Sequence, residues 1–336
     1  MLTEAIISLG TIGFALGAGL SLAAKKFAVE VDPKEAAAQA ALPGANCGAC
    51  GYPGCSGFAA AVARGEAPVN ACVVGGEAVV KQLAAIMGVE ASANEKKVAV
   101  IFCAGGNAEA KKKFEYYGAQ DCRAAILVAG GNKTCSNSCL GLASCVKVCP
   151  FDAMEMNENG LPVVFEDKCT GCGKCVEECP KQIISLIPIS KKVHIRCSSR
   201  DKGAAVKKYC SVGCIACGSC VKVCPFEAIT LVDNLAQINY DKCTNCGLCV
   251  RVCPTKTIQD YMKERFKAFI KEGCNGCTLC AKVCPVDAIS GNPKEPHVVD
   301  PAKCIGCMMC IPKCPKKVIE LAVPAEMLIG ANTVKT

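Results

Sequence analysis

CTGCGKCVEECP, residues 169–180, sets Cys169, Cys172, Cys175 and Cys179 within eleven residues and closes on Pro180. The same phrase, C-x2-C-x2-C-x3-C-P, recurs at Cys214, Cys217, Cys220 and Cys224; at Cys243, Cys246, Cys249 and Cys253; at Cys274, Cys277, Cys280 and Cys284; and at Cys304, Cys307, Cys310 and Cys314. Cysteines two residues apart rarely bridge each other, and a regular repeat gives no reason for cross-pairing, so a disulfide framework explains the pattern poorly. A tetrahedral zinc site uses two C-x2-C knuckles and has no need of a third close thiol followed by Cys-Pro. The spacing instead suits a cubane: three thiolates from one tight loop hold three irons, and the fourth cysteine serves a second cluster nearby.

This spacing is similar to that of bacterial ferredoxins, and the residues after each Cys-Pro show how the runs pair. CPFDAM, CPFEAI and CPVDAI follow Cys149, Cys224 and Cys284, whereas CPKQII, CPTKTI and CPKKVI follow Cys179, Cys253 and Cys314. The first kind opens a unit and the second closes it. Three tandem ferredoxin-like 2[4Fe-4S] units are therefore expected, at 134–190, 213–258 and 274–322. Short hairpins, MEMNENGLPVVF and ITLVDNLAQINY, join the halves, with Asn-Gly and Asp-Asn as turn formers. Between the second and third units, apolar residues at 258, 262, 266 and 269 have helical spacing and predict a linking helix over 259–273. A connector at 191–212 precedes the second unit, and residues 323–336 form a tail.

The first unit departs from the pattern. Its opening half spaces Cys135, Cys139, Cys145 and Cys149 at x3, x5 and x3, which widens the binding loop. Cys103, Cys122, Cys197 and Cys210 lie outside every motif, in the connecting segment 91–133 and in the connector. They are candidate ligands of an eighth cluster or inert buried thiols, and Cys135 could exchange places with one of them.

Upstream, Cys47, Cys50 and Cys55 stand as C-x2-C-x4-C with Cys72 after a gap of sixteen residues, in a glycine-rich setting that lets backbone amides approach cluster sulfurs. This four-cysteine domain is expected at 38–90, with Ala-rich helices at 57–64 and 77–87, after a linker at 27–37. Residues 5–24 carry no charge and are followed by Lys25 and Lys26, so residues 1–26 read as a bilayer-spanning anchor with the rest of the chain on the cytoplasmic side. A cleaved signal peptide would need a basic n-region, and Glu4 is the only early side-chain charge.

The 336 residues contain 32 cysteines but two histidines, His194 and His297, and no CxxCH, which excludes c-type haem and leaves Rieske-type ligation without its ligands. The formal charge is +8. Eight cubanes on thiolates, each about −2, would reverse it, so much of the lysine surplus reads as internal compensation rather than as a nucleic-acid surface. No GxGxxG or Walker pattern is complete, and neither histidine sits in an acid–base constellation, so no catalytic residue is expected on this chain.

An anchor, then CGACGYPGC, then ferredoxin repeats, together with CRAAILVAGGNKTCSNSCLGLASCVKVCPFDA, resembles the B subunit of the Rnf complex over nearly the whole chain, in a long form with three ferredoxin units. The overall expectation is an α+β chain: a transmembrane helix, a small iron-sulfur domain and three ferredoxin-like units. It would carry seven [4Fe-4S] clusters, or eight, at the cytoplasmic membrane of a bacterium. The resemblance implies a subunit of an enzyme that oxidises ferredoxin, reduces NAD and pumps sodium ions or protons. Its implied partners are soluble ferredoxin, the bilayer, and other subunits that hold the flavin and NAD sites. Lys313, Lys316 and Lys317 beside the last motif are the first candidates for ferredoxin docking, ahead of Lys202, Lys207 and Lys208. A polyferredoxin serving another membrane oxidoreductase, and a zinc or metal-storage protein, are the competing readings.

Overall fold

The computed structural model describes residues 2–26, 32–90 and 94–322, in two compact units, 1–94 and 95–336. The predicted tail and residues 27–31 of the predicted linker fall outside the described residues.

In the first unit, helix α1 spans Leu2–Lys26 and exposes Ile12, Phe14, Leu16, Leu20 and Leu22. The side chains of residues 1–9 and of residues 24 and 25 are outside the described ones. Among the described residues no helix is long and apolar enough to cross a membrane. Helix α2, Pro33–Ala41, starts on an Asp32 cap whose carboxylate accepts from the Lys34 amide at 2.8 Å. Part of the segment read as linker thus belongs to the domain, because Ala38 is wholly buried against α3 (Gly54–Ala63) and α4 (Gly76–Met87). Phe58, Val62 and Leu83 fill that core, and Cys72, Cys50 and Cys55 line it. The two Ala-rich helices occur where the sequence predicts them, each starting slightly earlier.

The second unit repeats one design three times. Each repeat has a local hairpin between its motifs and a second two-stranded ladder joining its first strand to its last. In the first repeat β1 (Lys97–Ile101) pairs with β4 (Ile184–Pro188), enclosing the hairpin β2 (Met154–Met156) and β3 (Pro162–Val164). In the second, β5 (Val193–Ile195) pairs with β8 (Ile258–Asp260) around β6 (Ile229–Val232) and β7 (Leu235–Ile238). In the third, β9 (Lys267–Ile270) pairs with β12 (Ile319–Ala322) around β10 (Ile289–Ser290) and β11 (Val298–Val299). All six ladders are antiparallel. At the β6–β7 turn Asp233 and Asn234 both have positive φ, 47° and 60°, the I′ geometry that Asp-Asn predicts.

Three segments differ from expectation because strands of the first-to-last ladders lie in them. The predicted linking helix over 259–273 is instead the end of β8, a loop and all of β9. Antiparallel pairing of β9 with β12 buries Ala268 and Ile319, and that ladder overrides a helical spacing whose Phe266 is left exposed. Likewise the connector 191–212 supplies β5 and the helix Gly203–Tyr209, and the connecting segment supplies β1. The repeats therefore start some distance before their first motif. After β1 the chain runs through a turn at 107–109 into a bridge of Ala110 with Cys210.

The six motif runs of the repeats share a local geometry. The third residue after each fourth cysteine, Asp152, Gln182, Glu227, Lys256, Asp287 or Lys317, has φ between 46° and 53°. In the closing run of the third repeat, Gly306 (φ 66°) lies against β9, where an added Cβ would sit 2.2 Å from the Phe266 carbonyl oxygen. Gly306→Ala should therefore destabilise the chain by about 2 kcal/mol or more. By contrast Ala216→Gly, at φ 55°, should gain up to about 1 kcal/mol. Anaerobic denaturant titration checks both, and an unshifted Gly306→Ala midpoint would sink the claim.

His194 on β5 is 3% exposed, shares a hydrogen bond with the Tyr240 hydroxyl at 2.8 Å, and packs against Phe102, Tyr240 and Tyr261. Burial, assisted by Arg196, lowers its pKa to about 4 from 6.5. A depressed folded-state value means the unfolded chain binds the proton more readily. The contribution is whole above pH 6.5 and disappears as pH falls towards 4, up to roughly 3 kcal/mol. His194→Gln should flatten the stability profile in that window relative to the parent chain; parallel profiles would remove His194 from the account.

Candidate iron-sulfur sites

In the regular runs three sulfurs come from one loop and a fourth faces the other half of the repeat. The short helices that lead to a fourth cysteine are α6 (Ser144–Lys147), α7 (Lys174–Glu178), α9 (Ser219–Val223), α10 (Leu248–Arg251) and α11 (Leu279–Lys282), while α5 (Cys122–Ile126) and α8 (Gly203–Tyr209) lie outside the runs. Proline after the fourth cysteine cannot extend them, so the chain turns back into a strand.

The outcome is cavities rimmed by four cysteines. One is lined by Cys214, Cys217, Cys220 and the distant Cys253; its pair by Cys243, Cys246, Cys249 and Cys224. In the third repeat Cys274, Cys277 and Cys280 share a cavity with Cys314, His297 and Lys316. These cavities are about 300 to 360 Å³, mouths included. Two complementary sets, Cys149 with Cys169, Cys172 and Cys175, and Cys284 with Cys304 and Cys307, are electrostatic neighbours, and Cys310 neighbours Cys304 and Cys307. In the first unit Cys72 neighbours Cys50 and Cys55, while the Cys55 amide donates to Asn46 at 2.8 Å; Cys47 is half-buried close by in sequence.

The opening half of the first repeat groups differently from its spacing. Cys139, Cys145 and Cys179 line a cavity of about 360 Å³ with Cys122, not with Cys135. The cause is α5, which starts on Asp121: the Cys122 amide donates to Ser144 Oγ at 2.8 Å, and that hydroxyl donates to Asp121 at 3.1 Å. Cys122 is thereby held beside α6 and its Cys145. Cys135 lies instead with Cys103, Cys197 and Cys210 around a separate cavity of about 340 Å³. No local spacing signal reveals this exchange, because both ligand sets are assembled by tertiary contacts.

Backbone amides point at several sulfurs. Ala228 N–H lies 3.4 Å from Cys224 Sγ and Ala288 N–H 3.2 Å from Cys284 Sγ, four residues on in each case. This accounts for the alanine in the opening phrases: Ala153, Ala228 and Ala288 are 1–2% exposed, where the chain doubles back on its cysteine. From the first strands, Ala99 N–H reaches Cys169 Sγ and Ala268 N–H reaches Cys304 Sγ, both at 3.5 Å. Such donors stabilise charge on thiolate and tune cluster potential.

Burial, reinforced by neighbouring thiols, pushes Cys139, Cys145, Cys175 and Cys249 up to about 12, and Cys220 and Cys310 up to about 11. Without a cation these groups stay protonated, so thiolate here requires a metal to replace the protons. Among the described residues no three His, Cys, Asp or Glu side chains close on a point as a single metal ion would need. Lys313, Lys316 and Lys317 are exposed beside Cys314. Lys202, Lys207 and Lys208 are exposed on and before α8, with Lys207 acting on the exposed Cys217 thiol.

Family models match along the chain: "Putative Fe-S cluster" over 42–74, and "4Fe-4S dicluster domain" over 134–184, over 213–257 and 273–320, and, in a third version, over 236–290. The last straddles two repeats, and the cavities favour the in-register pair, since Cys253 faces Cys214 rather than the Cys274 loop. Among curated proteins, the chain is 48% identical over 70% of its length to the B subunit of the Na(+)-translocating ferredoxin:NAD(+) oxidoreductase complex of Acetobacterium woodii, covering 71% of that protein. It is 42% identical over 73% of its length to the B subunit of the ion-translocating oxidoreductase complex of Methanosarcina acetivorans, covering 92% of it. To the B subunit of the proton-translocating ferredoxin:NAD(+) oxidoreductase complex of Clostridium ljungdahlii it is 46% identical over 71%, covering 84%. Identity of this order across most of both chains, together with the repeated four-cysteine sites, shows that this chain belongs to the family of B subunits of ion-translocating ferredoxin:NAD(+) oxidoreductase (Rnf) complexes.

Proposed function

We propose that the chain relays electrons within a membrane-bound, ion-translocating ferredoxin:NAD(+) oxidoreductase, receiving them from reduced ferredoxin and passing them to the membrane subunits. The observation that carries this reading is the exchange of fourth cysteines between the halves of each repeat, which sets two all-thiolate sites side by side. A bound [4Fe-4S] group supplies reversible one-electron storage, and two in one small fold supply a relay. The ligand sets are Cys47, Cys50, Cys55 and Cys72; Cys122, Cys139, Cys145 and Cys179; Cys149, Cys169, Cys172 and Cys175; Cys214, Cys217, Cys220 and Cys253; Cys224, Cys243, Cys246 and Cys249; Cys274, Cys277, Cys280 and Cys314; and Cys284, Cys304, Cys307 and Cys310. The chain's own contribution is to hold the sulfurs, donate amides to them and keep water from the buried ones. The flavin and NAD chemistry belongs to other subunits.

Residues 5–24 are uncharged and end on Lys25 and Lys26, which supports a single membrane anchor at residues 1–26 with the iron-sulfur domains in the cytoplasm of a bacterium. Anaerobic membrane vesicles from cells lacking the chain should lose ferredoxin-dependent NAD reduction. The intact chain should restore it, and a chain without residues 1–26 should not. Unchanged activity after deletion would leave a polyferredoxin serving another acceptor.

Ferredoxin, typically acidic, would dock where exposed lysines stand over a site, and Lys316 lines the cavity of Cys274, Cys277, Cys280 and Cys314. Reversing Lys313, Lys316 and Lys317 to Glu should slow reduction by ferredoxin at least about tenfold at low salt and flatten its salt dependence. An unaltered salt profile would move the docking site elsewhere, with Lys207 and Lys208 beside Cys217 next to be reversed.

A further inference from the structure

Cys103, Cys135, Cys197 and Cys210 belong to no regular motif, yet they rim one cavity. They come from four separate places: just after β1, the segment before α6, just after β5, and the end of α8. We infer that these four thiolates hold an eighth [4Fe-4S] cluster, and that this cluster joins the first ferredoxin-like repeat to the second. The inference rests on the reading that the regular motifs hold such clusters.

The cavity is about 340 Å³, within the range of those formed by the regular motifs. Its walls are tied together by hydrogen bonds between the four segments. Ala104 N–H donates to the Arg196 carbonyl at 2.9 Å and Arg196 donates to the Cys103 carbonyl at 3.2 Å, which ties the Cys103 segment to the Cys197 segment. Lys111 N–H donates to the Tyr209 carbonyl at 2.8 Å and Ser211 N–H to the Glu109 carbonyl at 3.1 Å, fixing Cys210. Thr134 N–H donates to the Lys111 carbonyl at 2.9 Å and places Cys135.

Three further features match an anionic cluster. A methyl group on Gly105 would stand 3.2 Å from Cys210 Sγ and 3.9 Å from Cys103 Sγ, so the chain leaves the sulfurs bare on that side. Amides donate to sulfur as in the regular sites, Cys139 N–H to Cys103 Sγ and Ser199 N–H to Cys197 Sγ, both at 3.4 Å. Lys133 is 2% exposed, its ammonium donates to the Gly105 carbonyl on this cavity at 2.8 Å and also acts on Cys139 of the neighbouring site, and no carboxylate is paired to it among the described residues. A buried cation of this kind needs a compensating anion, and a cubane on four thiolates carries about −2.

The position is that of a junction. The Cys139 amide that bonds Cys103 belongs to the site of Cys122, Cys145 and Cys179, and on the other side Cys197 is hydrogen-bonded to the backbone of Cys214, a ligand of the next repeat. Further along, Cys246 and Cys307 meet in one apolar cluster with Leu248 and Ile305, joining the second repeat to the third. The eighth site therefore completes one unbranched line of seven clusters through the second unit, from that of Cys169 to that of Cys274.

The test uses the full chain isolated anaerobically, with iron and acid-labile sulfide counted per chain. Cys135→Ser should lose about four irons and four sulfides, and so should Cys103→Ser with Cys197→Ser; the double variant Cys122→Ser with Cys135→Ser should lose about eight. Iron unchanged in Cys135→Ser, about four lost in the double variant, or one zinc in place of four irons would each overturn the inference. Should the variants fail to fold, alkylation of the parent chain decides. Cys197 and Cys210 should resist labelling until a chelator removes iron. Their labelling while the motif cysteines stay protected would overturn this inference alone, whereas labelling of the motif cysteines as well would overturn the proposed function with it.

Discussion

The fold of the ferredoxin-like repeats depends on one requirement: each site takes its fourth sulfur from the other half of its repeat. Cys253 must reach the loop of Cys214, and Cys224 must reach the loop of Cys243. Two hairpin-like halves that trade a ligand cannot separate without breaking both sites. This permits a small apolar core, in which Val193, Ile195, Ile229 and Ile258 share the interior with Cys220 and Cys249. The first-to-last ladders β1–β4, β5–β8 and β9–β12 follow from the same demand, because the chain must return across the repeat to close it.

That arrangement makes iron a structural component as well as an electron carrier. Thiols held up to about 12 by burial and by one another cannot serve as buried charges alone. Assembly must release protons as metal arrives, and much of the folding free energy is then binding free energy. It also explains why backbone amides donate the hydrogen bonds to the sulfurs: an N–H favours thiolate at little desolvation cost.

The sequence states the local rules clearly and the non-local ones not at all. Motif spacing with the residues after each Cys-Pro gives the repeat number and the pairing of halves, since Ala228 and Ala288 mark the opening turn by their own bonds to Cys224 and Cys284. The hairpin at Asp233-Asn234 is legible for the same reason, its turn being decided by two residues. What spacing misses is decided at long range. Residues 267–270 become a strand because 319–322 pair with them, and Cys122 rather than Cys135 lines the cavity of Cys145 because Ser144 and Asp121 hold it there. The four cysteines outside the motifs are countable in sequence, but their partners are fixed only when β1, β5 and α8 pack together.

The lysine surplus has a local explanation consistent with its expected compensating role. Lys191 donates to the Cys243 carbonyl at 2.7 Å, Lys267 donates to the Cys304 carbonyl, and Lys96 donates to the Glu166 carbonyl at 2.8 Å, each reaching from just before or at the start of a first strand to the opening of a closing loop. Lys181 spans the Gly130 and Ser136 carbonyls, and Lys147 caps that of Gln120. These side chains satisfy carbonyl oxygens of the loops and bring positive charge beside the four-cysteine cavities. Placed so, a lysine favours the reduced state of the site beside it, and a repeat built this way can accept an electron without a carboxylate partner having to change its charge. Part of the chain's formal positive charge thus lies beside the four-cysteine loops of its repeats.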